Sequence, residues 1–179
     1  MMKNILFISA FCLFATSACY AKKSRTNAAL KNAGVNTGVL FLKDTIPPAD
    51  VMQVITAAIY STNDFNIEKV ADLYTPNATI ADDEPPYSWN GPTAGVQWVN
   101  AVEKVCKDND LTKLKGSIEP INVFQQSADN VYIIVPVTYT GNLPGRSHFT
   151  AKGAFTFVLR MINGRWMIKS QAWMPKNGM

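Results

Sequence analysis

Apolar residues recur at helical spacing in the first half of the chain and at alternate positions in the second half. In the first half, three segments carry an apolar face of helical period, and we predict helices that begin near Pro47, Asn66 and Gly91. The second of these helices is expected to end at Pro76. A short apolar strand at residues 78–81 should follow it.

The second half of the chain has the alternating pattern of half-buried strands. Two turn sequences, Gly141–Gly145 and Asn163–Gly164, predict hairpins between long strands. Small residues in the middle of the strand at 148–160 predict a bend or bulge where the sheet curls. The predicted strands lie at residues 118–126, 131–139, 148–160 and 165–174.

Helices followed by long antiparallel strands predict an α+β fold. A strongly curved antiparallel sheet wrapped around the N-terminal helices would form a cone with one open end. A small ligand would enter through that mouth.

Length and charge narrow the class of protein. At 179 residues the chain is long enough for one domain with a real core. The formal net charge is +4, but from Pro47 onward there are 11 Lys and Arg against 12 Asp and Glu. The folded part is therefore close to neutral and lacks the basic surface that nucleic acid requires. We predict no nucleic-acid partner.

The N-terminus has the pattern of an export signal. Lys3 precedes an apolar run that is too short to span a bilayer, and we interpret residues 1–21 as a signal peptide. Residues 22–46 are interpreted as a linker and residues 47–179 as the domain. The mature protein would then be periplasmic or secreted. The alternative is a lipoprotein anchored to the membrane through Cys19.

Cysteine and histidine are scarce in the part predicted to fold. After export, Cys106 is the one thiol expected in the domain, and its position on an apolar helix face predicts a buried structural residue. The single histidine, His148, is expected at the surface. Without a His or Cys cluster of ligand spacing, we predict neither a metal site nor a cofactor.

Three adjacent acids after the short strand are the most unusual feature of the sequence. Asp82, Asp83 and Glu84 repel one another unless water screens them or a partner pairs them. Tyr87 and Trp89 follow closely, so the segment fits the rim of a pocket. It also fits a solvated turn, and both readings remain open at this stage.

Several stretches together resemble a known superfamily. They lie at residues 73–80, 83–91, 91–99 and 155–173. In this order they resemble the nuclear transport factor 2-like, or SnoaL-like, superfamily over about residues 48–174, and in particular a small exported subgroup. The resemblance implies the cone fold and a homodimer, but it does not imply one function, because such cones host many activities.

One catalytic role can be carried over by resemblance. The strand that ends at Asp82 resembles the strand that bears the general-base aspartate of the ketosteroid isomerases. The resemblance places Thr56 and Thr156 where the partner hydrogen-bond donors would be. Steroid isomerase activity is therefore not expected.

Two function classes follow from these observations. The first is an exported protein that binds a small, largely apolar molecule in its cone. The alternative is a cofactor-independent isomerase, dehydratase or cyclase that uses Asp82 as general acid or base. The predicted ligand-binding residues are Asp83, Glu84, Tyr87, Trp89, Trp98, Tyr60, Tyr132, Tyr139 and Trp173.

Overall fold

The computed structural model describes residues 46–176. The predicted signal peptide and nearly all of the predicted linker lie outside these residues, so both stay predictions. Within the described range no helix is long and apolar enough to cross a membrane.

Two α-helices and seven strands make up the described part of the chain. The helices are α1 (Ala49–Asp64) and α2 (Ala94–Asp108). The strands are β1 (Tyr74–Ala81), β2 (Ser88–Asn90), β3 (Thr112–Ile118), β4 (Val123–Ser127), β5 (Asn130–Leu143), β6 (Arg146–Ile162) and β7 (Arg165–Pro175).

The strands form one curved sheet in the order β2-β1-β7-β6-β5-β3, and β4 also pairs with β5. All the pairs are antiparallel except β1 with β7, which is parallel. The predicted α+β class is confirmed. Both helices pack against the sheet, and the apolar core lies between these two layers.

Helix α1 forms where its apolar period predicts it and buries Val51, Ile55 and Ile59. Its first turn is tied to the far end of the chain, because the indole Nε1 of Trp166 in β7 donates to the Asp50 carboxylate at 3.0 Å. The helix ends at Phe65, whose φ of 52° lies in the left-handed region.

The predicted second helix is wrong in length. Asn66 does cap a helical turn, since its side-chain oxygen accepts from the backbone N–H groups of Glu68 and Lys69, but that turn is a 3₁₀ helix at Ile67–Lys69. Tyr74, which was assigned to the helix, begins strand β1 instead. The backbone N–H of Ile168 in β7 donates to the Leu73 carbonyl at 2.7 Å. Pairing with a distant strand outweighs the local helical pattern here.

The hairpins at the C-terminal end are confirmed. Asn163 and Gly164 have φ of 50° and 77°, as a tight two-residue turn between β6 and β7 requires. The predicted strand at 118–126 is two strands, β3 and β4, and the break between them contains Pro120, which has no N–H for a ladder.

The predicted irregularity in β6 lies elsewhere than expected. The register with β7 shifts between Val158 and Leu159, not among the small residues at 151–154. Gly153 is needed for packing and not for a bulge, because a Cβ atom at this position would overlap the ring of Trp173. The small residue lets this indole lie close against β6.

Candidate functional site

The site is built around the residue that directly follows strand β1. The backbone N–H of Asp82 donates to the Tyr87 carbonyl at 3.1 Å, and the N–H of Tyr87 donates to the Glu84 carbonyl at 2.9 Å. These two bonds close a short loop between β1 and β2. The loop fixes the backbone from which the Asp82 side chain extends.

The Asp82 carboxylate receives one neutral donor on each oxygen. The indole Nε1 of Trp98, on helix α2, donates to Oδ2 at 2.6 Å. The backbone N–H of Asp83 donates to Oδ1 at 2.8 Å. Bonds of this kind to a charged acceptor are short and fix its orientation.

Burial raises the pKa of the Asp82 carboxyl from 3.8 to about 6. The hydrogen bond from Trp98 opposes this effect, since it favours the charged form. The result is a carboxyl group that can gain or lose a proton near neutral pH, as a general acid or base must.

A cavity of about 330 Å³ lies beside this carboxylate. Its walls come from α2, from the loop after β1 and from the inner face of the sheet. They are mainly apolar and aromatic, and the carboxylates stand on the side formed by the loop. The lining residues are Asp82, Asp83, Glu84, Pro85, Trp89, Trp98, Ala101, Val102, Val105, Cys106, Leu111, Leu114, Tyr139, Phe149, Ala151, Phe155, Trp173 and Pro175.

The aromatic part of the wall is a packed cluster. The Phe155 ring lies 4.7 Å from that of Trp173 and 5.7 Å from that of Trp98, centroid to centroid. The ring of Tyr139 meets Trp173 edge to face at 5.8 Å. Rings that pack on one another in this way hold a wall of defined shape.

Tyr139 also lines the cavity, and its hydroxyl lies beside Thr62 of helix α1. The Thr62 hydroxyl donates to the Ile59 carbonyl at 2.7 Å, and its oxygen lies 3.4 Å from the Tyr139 oxygen. Burial raises the pKa of Tyr139, and the negative charge of Asp82 raises it further. The phenol therefore stays protonated and lies close enough to Asp82 to sense its charge.

A second buried polar pair lies in the core. The Tyr74 hydroxyl donates to Oε1 of Gln171 at 2.6 Å, and both side chains are buried. Nε2 of Gln171 has no hydrogen-bond partner among the described residues. Neither residue lines the cavity.

Comparison with solved structures identifies the fold. A type 2 hexachlorocyclohexane dehydrochlorinase, LinA, superposes with a TM-score of 0.62 and 15% identity, covering 72% of this chain and 84% of that chain. A nuclear transport factor 2-like superfamily protein from Salmonella enterica serovar Typhimurium superposes with a TM-score of 0.57 and 13% identity, covering 70% and 87%. The chain has the nuclear transport factor 2-like fold.

A third solved structure agrees with this result. The type 3 dehydrochlorinase LinA of Novosphingobium barchaimii superposes on the chain with a TM-score of 0.59 and 17% identity, covering 73% of this chain and 90% of that chain. No protein-family model matches the sequence, and no curated protein matches it significantly. The predicted resemblance is confirmed at the level of the fold, and the exported subgroup stays a prediction.

The nuclear transport factor 2-like cone brings together seven of the ten residues named from the sequence as catalytic or ligand-binding. Those that line the cavity are Asp82, Asp83, Glu84, Trp89, Trp98, Tyr139 and Trp173. The sequence led us to assign these residues to one site. Whether they bind or act on a ligand stays a prediction.

The other three residues lie outside the cavity. Tyr60, Tyr87 and Tyr132 are 37%, 60% and 38% exposed and do not line it. Tyr132 alternates with buried Val131 and Ile133, so its side chain leaves the sheet on the opposite face.

Sequence reasoning missed much of the apolar wall. Phe149, Ala151 and Phe155 of β6 line the cavity, but the sequence did not lead us to assign them to the site. Cys106 is 4% exposed, as predicted, and it also lines the cavity. Burial raises the pKa of its thiol, which keeps it protonated and unreactive. His148 is exposed, as expected.

Proposed function

We propose that the cone binds a small, largely apolar molecule whose polar group meets Asp82. The observation that carries this proposal is the cavity itself, in which apolar and aromatic walls surround a few polar groups on one side. Ligand sites are commonly of this kind, with volumes of roughly 300 to 1,000 Å³. A volume of about 330 Å³ favours a compact ligand.

The polar groups would orient such a ligand. Asp82 can accept a hydrogen bond from a hydroxyl or amine, because its two neutral donors leave it further acceptor capacity. Tyr139 lines another part of the wall, and a ligand oxygen that reaches its hydroxyl would accept from it in place of Thr62. A molecule with an apolar body and one polar end would satisfy both the walls and the carboxylate.

Native mass spectrometry of protein purified from its own host is the direct test. We expect a small molecule that remains bound under native conditions and is lost on denaturation. Ala101→Phe would fill part of the cavity and should abolish this adduct. Ala71→Phe makes the same change at an exposed position outside the cavity and should keep it. Retention of the adduct in Ala101→Phe would contradict the proposal.

A specific observation also supports a second candidate, a cofactor-independent enzyme. Asp82 lies in an apolar cavity and receives a Trp98 donor, and its pKa of about 6 suits proton transfer near neutral pH. Asp82 would take a proton from the substrate or return it. Tyr139 would stabilise the negative charge that develops on a substrate oxygen.

The solved neighbours are consistent with this second candidate without identifying a substrate. Two of them are hexachlorocyclohexane dehydrochlorinases at 15% and 17% identity, so this fold can carry an enzyme active site. An isomerase, dehydratase or cyclase would use the same carboxyl group as its acid or base.

Asp82→Asn separates the two candidates once a ligand is known. Asparagine keeps the size of the side chain and an oxygen that can accept from Trp98, but it cannot accept a proton. In a protein that only binds its ligand the variant changes affinity alone, whereas an enzyme should lose turnover at saturating substrate by a factor of roughly 10² to 10⁴. Glu119→Gln removes a charge outside the cavity and serves as the control.

We propose in addition that the mature protein is exported and forms a homodimer through the outer face of the sheet. Tyr132 and Met174 are exposed hydrophobic residues on strands of this sheet. Light scattering at micromolar concentration should give twice the monomer mass, and a monomer would contradict the assembly.

Mass spectrometry of the mature N-terminus should find a start near Lys22, and an acylated Cys19 would contradict soluble export.

A further inference from the structure

We infer that the cavity selects an organic cation, a compact apolar body that carries an ammonium group, over neutral and anionic molecules of the same shape. This inference rests on the proposed binding function and names the charge of the ligand. It follows from three features of the cavity: its charges, the partners of the half-buried Asp82 carboxylate, and its aromatic walls.

The charges around the cavity are all of one sign. Asp82, Asp83 and Glu84 line it, and none of the described residues in its wall is lysine, arginine or histidine. The described domain is otherwise nearly balanced in charge, so this is a local excess. The three ion pairs of the described chain lie outside the cavity, where Lys69 pairs with Asp64, Lys104 with Asp108 and Lys107 with Glu103.

Asp82 is the charge that most needs a partner. Asp82 is half-buried, and carboxylates that lose much of their hydration are usually paired with a cation, because that loss is costly. Here the two hydrogen-bond donors to the carboxylate, Trp98 Nε1 and the Asp83 N–H, are both neutral, and the neighbouring Asp83 side chain is acidic and raises the pKa of Asp82 further. An ammonium group of a ligand would supply the missing positive charge through a charge-assisted hydrogen bond.

The walls suit the rest of such a cation. Trp89, Trp98, Trp173 and Tyr139 line the cavity, and aromatic faces attract ammonium groups through their quadrupoles. The charge of Asp82 also acts deeper in the cavity, since it contributes to the raised pKa of Tyr139. An anionic ligand would meet repulsion both at the carboxylates and at the aromatic faces.

Three molecules of matched shape test this selection: 2-phenylethylammonium, 2-phenylethanol and phenylacetate. Calorimetry and NMR titration of the whole domain should give the ammonium at least about tenfold tighter binding than the alcohol. Phenylacetate should bind more weakly than the alcohol. The resonance of the Trp98 indole N–H should shift with the ammonium, because that N–H contacts the same carboxylate.

Variants locate the source of the preference. In Asp82→Asn the ratio of ammonium to alcohol affinity should fall to about threefold or less, because exposed carboxylates contribute little. The alcohol should bind as it does to the wild type, which reports an intact cavity. Glu119→Gln, with a charge removed outside the cavity, should keep the wild-type ratio.

The outcomes separate the two proposals. Equal affinity for ammonium and alcohol in the wild type would overturn the cation inference and leave the binding proposal standing. A preference that survives in Asp82→Asn would also overturn it. Failure of all three molecules to bind at about 10 mM would overturn both. If Asp82→Asn does not fold, the Trp98 resonance decides, and an equal shift with the alcohol would count against the inference.

Discussion

The charge on Asp82 should cost the protein stability, and its removal should make the domain more stable at neutral and alkaline pH. The native environment raises the pKa of this carboxyl from 3.8 to about 6, mainly through burial. Below the unfolded-state value both states bind the proton equally. As the pH rises from there to the native value, the unfolded chain releases the proton first, so the free energy of unfolding falls.

The size of the effect follows from the two pKa values. The difference between 3.8 and about 6 corresponds to about 3 kcal/mol at pH well above both. About half of that, roughly 1.4 kcal/mol, should be lost between about pH 5 and about pH 8. Asparagine resembles the protonated acid in charge and shape and keeps an acceptor for the Trp98 indole, while the Asp83 N–H loses its acceptor at an exposed position where water can replace it. Asp82→Asn should therefore be more stable than the wild type at pH 8 by about 1 to 3 kcal/mol.

Urea unfolding of wild type and Asp82→Asn at several pH values measures this difference. The stability gap should widen by about 1.4 kcal/mol from pH 5 to pH 8, because asparagine does not titrate in this range. Glu119→Gln is the matched control, and its gap should stay near zero. A variant that is less stable than the wild type at pH 8, or a gap independent of pH, would refute the reasoning about Asp82.

Two further predictions concern packing behind and within the wall. Gly95→Ala should destabilise the domain by about 3 kcal/mol or more, because the added Cβ would overlap the buried Tyr74 ring. Gly164→Ala meets no neighbouring atom and should cost about 1 kcal/mol through its positive φ. Urea unfolding measures both losses of stability, and equal losses would contradict the packing argument. Cys106 should resist alkylation in the folded state and react on unfolding, because its side chain is buried and the pKa of its thiol is raised. Peptide mapping after alkylation measures this difference. Rapid alkylation of Cys106 in the folded protein would contradict a purely structural role.

The long strands of the second half could be predicted because their information is local. The alternation from Val131 to Tyr139 records which face is buried, and β5 buries those same positions. The turn at Asn163–Gly164 depends on two residues that accept positive φ, and it forms between β6 and β7 as predicted. Neither feature requires knowledge of a distant partner.

The segment before the site could not be predicted in this way. Residues 66–74 have a helical pattern, yet Tyr74 begins a strand because β7, almost a hundred residues further along the chain, lies parallel to it. The short strand Ser88–Asn90 likewise exists only through its pairing with β1. Contacts between distant parts of a chain outweigh local propensity, and one sequence does not reveal them.

The candidate site was predictable to a similar, partial degree. Asp82 could be singled out because it follows an apolar strand and begins a run of acids. Tyr132 could have been excluded, because the alternation that puts Tyr139 with the buried face puts Tyr132 on the other one. The bond between Trp98 and Asp82 joins a helix to a loop and is visible only in the structure.

The charge of Asp82 affects both the stability of the fold and the binding of a ligand. A carboxylate held beside an apolar cavity by two neutral donors is under-compensated, which lowers the stability of the fold. The positive charge that the carboxylate lacks can come from a ligand. A ligand group that neutralises Asp82 would make the interaction that the fold itself does not provide. Such a residue is hard to explain as part of a core, because a neutral side chain would pack there with less cost. The unpaired charge of Asp82 therefore favours a functional role over a structural one.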